Sequence, residues 1–359
     1  MRQGWDPIRG CFLAMAVVGA LAMGCSAPRS TGYTRFPETL TPAPESPAPA
    51  AIASQAPTEP RPPVIAVPEP PPPRPAEPAA QVPKTPLDDR EPWTPIAAWC
   101  RSRGLPSPEL QAGSRAVKIG GITHYLGFEP VDQGGAVCIH PLDRIKTFEP
   151  LLQAPTWPEP RTVILDPGHG GSQAGTRCLT GNRFEKDFTL DWALRLKPLL
   201  EARGWTVHLT RTNDLDLSLT DRVLAAETRQ AGLFISLHFN SAFPNTQARG
   251  LETYCLTPCG MASTTTRVYA DDLSATHPNN RHDAGNLVLA RRIHRHLLAA
   301  TGTADRGIRR ARFMEVLRGQ DRPAVLIEGG FLSNPDESWA INTPAYRQRL
   351  AEGVARALE

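Results

Sequence analysis

Proline decides where this chain can fold. The 38 prolines are spread unevenly, and from Ser26 to about Thr94 the sequence is Pro/Ala/Glu-rich, as in PESPAPAAIASQ and PEPPPPRPAEP. Such a composition buries too little apolar surface to offset the entropy of ordering, and proline favours extended polyproline II. At ~3.1 Å per residue the stretch would reach up to roughly 200 Å when fully extended, which makes it a tether. A chain of 359 residues suits about two folded domains. Its net charge of +3 is small for that length and gives no support to a nucleic-acid partner.

Ahead of the tether, Arg2 and Arg9 form a basic region, followed by the uncharged apolar run CFLAMAVVGALAMG from Cys11 to Gly24. The run is short for a transmembrane helix, which needs ~20 residues, and reads as a secretion signal. It ends AMGC, which resembles a bacterial lipobox cut before Cys25, with Ala22 where Leu is usual. The expectation is a signal peptide over 1–24, a lipid on Cys25 and a tether over 25–94. The chain would then be exported and anchored in the envelope, and Ser26 after the Cys favours the outer membrane facing the periplasm. Export permits disulfides. Cys100, Cys138, Cys178, Cys255 and Cys259 remain, with Cys255/Cys259 and Cys100/Cys138 as candidate pairs and one thiol left over. No second ligand pair of matching spacing supports a zinc site at Cys255 and Cys259.

Order returns after the tether. Val117, Ile119, Ile122 and Tyr125 predict short strands around a turn at Gly120–Gly121, with another strand from Ala136 to Pro141, and 95–155 is expected to form a small β-rich accessory domain. From Arg161 onward the pattern is regular. TVILDPG is a continuous apolar strand of the kind a sheet covered on both faces requires. Glu185 to Arg203 has helical spacing in Phe188, Trp192, Leu196 and Leu199/Leu200, with Pro198 expected to kink or break the last turn. WTVHLTR alternates as a strand, and SLTD opens a helix through about Gln230 as a capping box. GLFISLHFNS, Gly250–Leu256 and PAVLIEGG are further strands. Asn286–Ala300 is an amphipathic helix with His294 and His296 among arginines on its wet side, and Tyr346–Leu358 is a closing helix. Strands alternating with helices make an α/β layered domain over 161–359.

Four residues share an unusual placement. His169 follows the strand ILDPG, His238 sits near the end of ISLHFNS, Glu185 starts a helix, and Glu328 ends the apolar strand AVLIE before two glycines. Ligands of open α/β sheets gather at the carboxyl ends of strands, so residues far apart in the chain can converge there. Two imidazoles and one carboxylate form a zinc set that leaves a fourth position open. A carboxylate in an apolar strand is costly unless paired or functional. Asp166 is read equally as a group orienting a ligand or as a turn-forming residue before Pro167, while Ser236 and Asn240 flank His238. The chain has no HExxH helix, GxSxG elbow or phosphate loop.

The stretches ILDPGHGG, RFEKDFTLDWALRL, LTRTNDLDLSLTDR, ISLHFNS and RPAVLIEGGFLSNPDE together closely resemble the zinc-dependent N-acetylmuramoyl-L-alanine amidases of bacterial cell walls, from about Thr162 to Leu358. The resemblance implies a mixed, twisted sheet flanked by helices. It also implies one Zn2+ on His169, Glu185 and His238, with Glu328 as the catalytic glutamate. The implied reaction is hydrolysis of the bond between the lactyl group of N-acetylmuramic acid and L-alanine, with peptidoglycan as partner and any protein activator unknown. Ala226–Glu227 stands where the family usually has Ala-Asn, and Phe239 where a small residue is commoner. Two other readings remain: a non-catalytic wall-binding lipoprotein, and another zinc peptidase acting on stem peptides.

Overall fold

The computed structural model describes residues 92–265 and 271–359. The expected signal peptide, Cys25 and nearly all of the tether lie outside the described residues. The first described segment carries β1 (Thr94–Pro95), α1 (Ile96–Ser102), β2 (Ala116–Ile119), β3 (Ile122–Tyr125), β4 (Val131–Gln133), β5 (Ala136–Ile139) and α2 (Pro141–Asp143). Then come β6 (Thr162–Pro167), α3 (Glu185–Glu201), β7 (Thr206–Leu209), α4 (Leu219–Thr228), β8 (Leu233–Asn240) and β9 (Leu251–Cys255). The chain closes with α5 (Asp283–Thr301), β10 (Asp305–Arg310), α6 (Glu315–Arg318), β11 (Ala324–Phe331), α7 (Pro335–Asn342) and α8 (Pro344–Ala357).

One eight-stranded mixed sheet, in the order β2-β3-β10-β9-β11-β8-β6-β7, forms the middle layer. β7, β6, β8 and β11 are parallel neighbours, whereas β9 runs antiparallel to β11. Every residue of β6 is buried, because helices cover both faces. Val163 and Leu165 join Ile235, Leu237, Val325 and Ile327 beneath Phe188, Trp192, Leu196, Ile293 and Leu350 of α3, α5 and α8. Ile164, Phe234 and Leu326 face the other way, onto Ala226 of α4 and Val316 and Leu317 of α6. The period of two along each strand therefore splits its side chains between two cores. α4 begins as expected, with the Ser218 hydroxyl accepting from the Asp221 amide at 3.1 Å.

Several expectations are corrected. α3 runs on through Pro198 to Glu201 rather than breaking there. Proline removes the hydrogen bond to Leu194, a residue on the exposed side of the helix where water can serve the freed carbonyl. Cys100, Cys138, Cys178, Cys255 and Cys259 are all free, so neither candidate pairing forms. The segment 95–155 has a core of Ile96, Cys100, Val117, Leu126, Ile139 and Phe148 and a small sheet β1-β5-β4. Its β2–β3 hairpin, however, turns at Gly120–Gly121 with positive φ and then extends the main sheet, β3 lying beside β10 with His124 opposite Ile308.

β10, DRGIRR, is mostly charged and carries no apolar alternation that would mark it as a strand. Its arginines are instead fasteners: Arg310 donates to the Lys146 carbonyl at 2.6 Å and to the Thr147 hydroxyl at 3.0 Å. Arg115 reaches back to the Ala262 carbonyl at 2.7 Å. His294, expected on the wet side, is fully buried, with its ring nitrogens 2.9 Å from Asp305 Oδ1 and 2.9 Å from Thr253 Oγ1.

Asp305 is thus the rivet of this joint, since its second oxygen accepts from the Thr123 amide of β3 at 2.8 Å. Burial would raise its pKa, but the hydrogen bonds from His294 and Thr123 outweigh it and hold it at about 2, below the ordinary 3.8. A depressed carboxyl contributes stability that is present above the ordinary value and lost as pH falls through the folded one. Acid unfolding followed by circular dichroism should show the wild type losing Tm between about pH 4 and pH 2. Asp305→Asn should start from a lower Tm at neutral pH and lose less over that window; parallel curves would contradict this role.

Candidate metal centre

The parallel strands β6, β8 and β11 end on one edge of the sheet, and the four singled-out residues meet there. His169 lies just beyond β6, His238 sits near the end of β8, and Glu185 is the first residue of α3. Glu185 Oε1 lies 3.1 Å from His169 Nε2 and 2.9 Å from His238 Nδ1. One ligand atom from each of the three falls within 4.8 Å of the others. Ligands each ~2.0–2.1 Å from a tetrahedral ion sit roughly 3.3 Å apart, so this donor set fits a zinc-sized cation without rearranging the backbone. The two imidazoles present their edges at 74° to one another, with ring centres 5.0 Å apart.

Glu185 is buried, which by itself would raise its pKa. Its hydrogen bonds with His169 and His238 reverse that and hold it well below the usual carboxylate range. The backbone fixes both oxygens as well: the Phe239 amide donates to Oε1 at 3.1 Å and the Thr176 amide to Oε2 at 3.1 Å. Gly168 is required by close approach, because a Cβ there would come within 2.2 Å of the His238 ring. Gly170 and Gly171 back onto Leu215 and Asp216 of the loop after β7.

His169 has φ +61°, a left-handed backbone that non-glycine residues adopt at a cost of ~1–3 kcal/mol. Two arginines hold it there. Arg222 of α4 donates to the His169 carbonyl at 2.8 Å, to the Pro167 carbonyl at 3.0 Å and to Asp166 Oδ1 at 2.7 Å. Arg211 donates to the Pro167 carbonyl at 2.9 Å and the Gly168 carbonyl at 2.8 Å. Asp166 therefore touches neither imidazole. It accepts from Arg222, from Thr210 Oγ1 at 2.7 Å and from Ser236 Oγ at 2.8 Å. Burial would raise its pKa; Arg222 and the two hydroxyls lower it below the usual range.

Glu328 of β11 stands opposite His238 in the ladder on one side and opposite Glu252 of β9 on the other. The residue is half-buried, yet Oε2 has no exposed surface and no hydrogen-bond partner among the described residues. Burial first, then the charges of Glu185 and Glu252, push its pKa well above the usual carboxylate range. Glu252 is itself matched, by Arg306 Nε at 2.8 Å, Arg309 Nε at 3.0 Å and the Tyr254 hydroxyl at 2.8 Å. Asn240 belongs to this group and not to the imidazoles: its amide donates to Glu252 Oε2 at 2.9 Å.

The sequence reading missed Arg211, Arg222 and Glu252. Arg222 shares a helix face with buried Ala226 four residues on, and Glu252 sits in an apolar strand as Glu328 does. Both signals were present in the residues.

Residues 163–359 match the family described as N-acetylmuramoyl-L-alanine amidase. The chain is 35% identical over 200 residues to the sporulation-specific N-acetylmuramoyl-L-alanine amidase of Bacillus subtilis (strain 168), covering 55% of this chain and 66% of that protein. It is 32% identical over 200 residues to the probable cell wall amidase LytH of Staphylococcus epidermidis, covering 55% of this chain and 57% of that one. It thus spans just under two thirds of the first relative and just over half of the second. Among solved structures, the catalytic domain of CwlV, an N-acetylmuramoyl-L-alanine amidase from Bacillus (Paenibacillus) polymyxa var. colistinus, is 31% identical with a TM-score of 0.46, over 55% of this chain and 96% of that one.

Arg222→Lys tests the clamp, since one ammonium cannot span Asp166 and two carbonyls as a planar fork does. Groups that orient metal ligands typically contribute 10–100-fold in metal affinity, and a loss of about that size is expected in chelator competition with zinc. Unchanged affinity in a folded Arg222→Lys protein would remove Arg222 from the support of His169.

Proposed function

Since the chain belongs to the N-acetylmuramoyl-L-alanine amidase family through residues 163–359, we propose that it hydrolyses the amide joining the lactyl group of N-acetylmuramic acid to L-alanine of the peptidoglycan stem peptide. The observation that carries the reading is the convergence of His169, Glu185 and His238 beside a carboxyl, Glu328, that has a buried oxygen without a partner. His169, Glu185 and His238 would hold one zinc ion. When bound, zinc supplies Lewis acidity and makes water acidic enough to react near neutral pH.

The chain's own groups do the rest. Glu185, tied by two backbone amides, keeps the two imidazoles in register with each other. Arg211 and Arg222 keep the His169 backbone in its left-handed turn. Glu328 takes a proton from the attacking water as the new C–O bond forms at the lactyl carbonyl. It returns that proton to the nitrogen as the C–N bond breaks, so the products are a free lactyl carboxylate and a free L-alanine amine. A carboxyl with a raised pKa is the stronger base for the first transfer. Asp166, Asn240 and Ser236 act indirectly, through Arg222 and Glu252.

The chain would be exported, lipid-anchored at Cys25, and carried by its Pro-rich tether towards the wall, in remodelling or daughter-cell separation.

Purified peptidoglycan should release stem peptides with N-terminal L-alanine. Single D-amino acids would point to a carboxypeptidase instead, and no release to a binding protein. Glu328→Ala should keep its zinc and lose about 10²–10⁴-fold in rate, the usual worth of a positioned acid–base group. Wild-type turnover by that variant would remove Glu328 from the role.

A further inference from the structure

Outside the metal centre, α5 carries three arginines, Arg291, Arg292 and Arg295, beside a cavity of about 130 Å³ that Leu151, Gln153, Pro155 and Val288 also line. Arg292 is fully engaged. It donates to the Ala357 carbonyl, reaches the Glu359 carbonyl at 3.3 Å, and lies 5.5 Å from the centre of the Trp157 ring.

The other two are not. Arg291 makes one long contact, 3.5 Å from Nη2 to the Ile119 carbonyl, and its Nε is buried with no partner. Arg295 is exposed and, among the described residues, has no hydrogen-bond or ion-pair partner; Arg291 has only the Ile119 contact. They stand four residues apart on one helix, the spacing at which like charges face and destabilise each other. Burial and the charge of Arg295 both lower the pKa of Arg291. The β2–β3 turn packs closely against the Arg291 side chain, since a Cβ on Gly120 would lie 2.8 Å from Arg291 Nη2. A positioned, mutually repelling pair of planar donors at the mouth of a small cavity is what an oxyanion would relieve. Two forks suit a tetrahedral anion with several charged oxygens better than a single carboxylate, which one fork satisfies.

We propose that this cavity, bounded by Arg291, Arg292 and Arg295, binds a phosphate group, either free phosphate or the phosphodiester of an anionic lipid headgroup. The site is independent of the hydrolysis proposed above and uses none of its residues.

The test uses the full chain carrying Cys25→Ser, so that no acyl group contributes, alone and with Arg291→Gln/Arg295→Gln. Calorimetric titration with inorganic phosphate at low salt should show saturable binding at one site per chain, at least tenfold weaker in the double variant. The double variant's thermal midpoint without phosphate should be unchanged or higher, because repulsion has been removed. If it unfolds early, Arg295→Gln alone, at an exposed position, should show the same loss of phosphate binding. Co-sedimentation with phosphatidylglycerol vesicles but not phosphatidylcholine vesicles, lost in the variant, assigns a lipid headgroup. Phosphate binding without sedimentation assigns a soluble phosphate. Absence of saturable phosphate binding, equal binding by wild type and variants, or acetate binding as tightly as phosphate would overturn the proposal.

Discussion

A carboxylate removed from water costs several kcal/mol unless it is matched, and Asp166 is matched three times. Arg222, Thr210 and Ser236 all donate to it, from α4, from the end of β7 and from β8. The pair matters less for what it adds to stability than for what its remaining hydrogens do. Arg222, fixed by Asp166, has donors left for the carbonyls of Pro167 and His169. A left-handed histidine persists only where its surroundings over-determine it, and here an ion pair beneath the strand end supplies that constraint. The donor set proposed for zinc is thus assembled from below, by charge buried in the layer between β6 and α4.

Strand direction does the rest. β6, β8 and β11 are parallel, so the elements that follow them emerge at one edge, and the backbone there can place His169, His238 and Glu328 together. β9 runs the other way and brings Glu252 level with Glu328. Two carboxyls across adjacent strands would repel, but Arg306 and Arg309 compensate Glu252. Glu328 has no such partner among the described residues, and burial with the charges of Glu185 and Glu252 raises its pKa. The asymmetry leaves one of two neighbouring carboxyls matched by arginines and the other unmatched, which suits the proton-transfer role proposed for Glu328.

Much of this was legible in the residues, for physical reasons. The strands TVILDPG, GLFISLHFNS and PAVLIEGG announce burial on both faces through unbroken apolar runs, and their ends locate three of the four site residues. The amphipathic helix after Glu185 locates the fourth. What was not legible is long-range and polar. Nothing local tells DRGIRR that Arg310 will be buried and that Arg309 will pack on Tyr125 of the β2–β3 hairpin, or separates buried His294 from its neighbour His296. A proline in a helix reads as a break unless the exposure of the orphaned carbonyl is known. Asp166 left two readings open because its partners, at positions 210, 222 and 236, are far away in sequence. In the structure Asp166 contacts Arg222, which in turn donates to the His169 carbonyl.

The central claim is that three side chains from separate elements form a single hydrolytic zinc site. X-ray absorption at the zinc edge, on protein loaded with one equivalent of zinc, tests it most directly. The account predicts a first shell of nitrogen and oxygen only, at ~2.0–2.2 Å, with two imidazole signatures of which His238→Ala removes one. Sulfur at ~2.3 Å, or a shell unchanged by His238→Ala, would place the metal elsewhere and contradict the account.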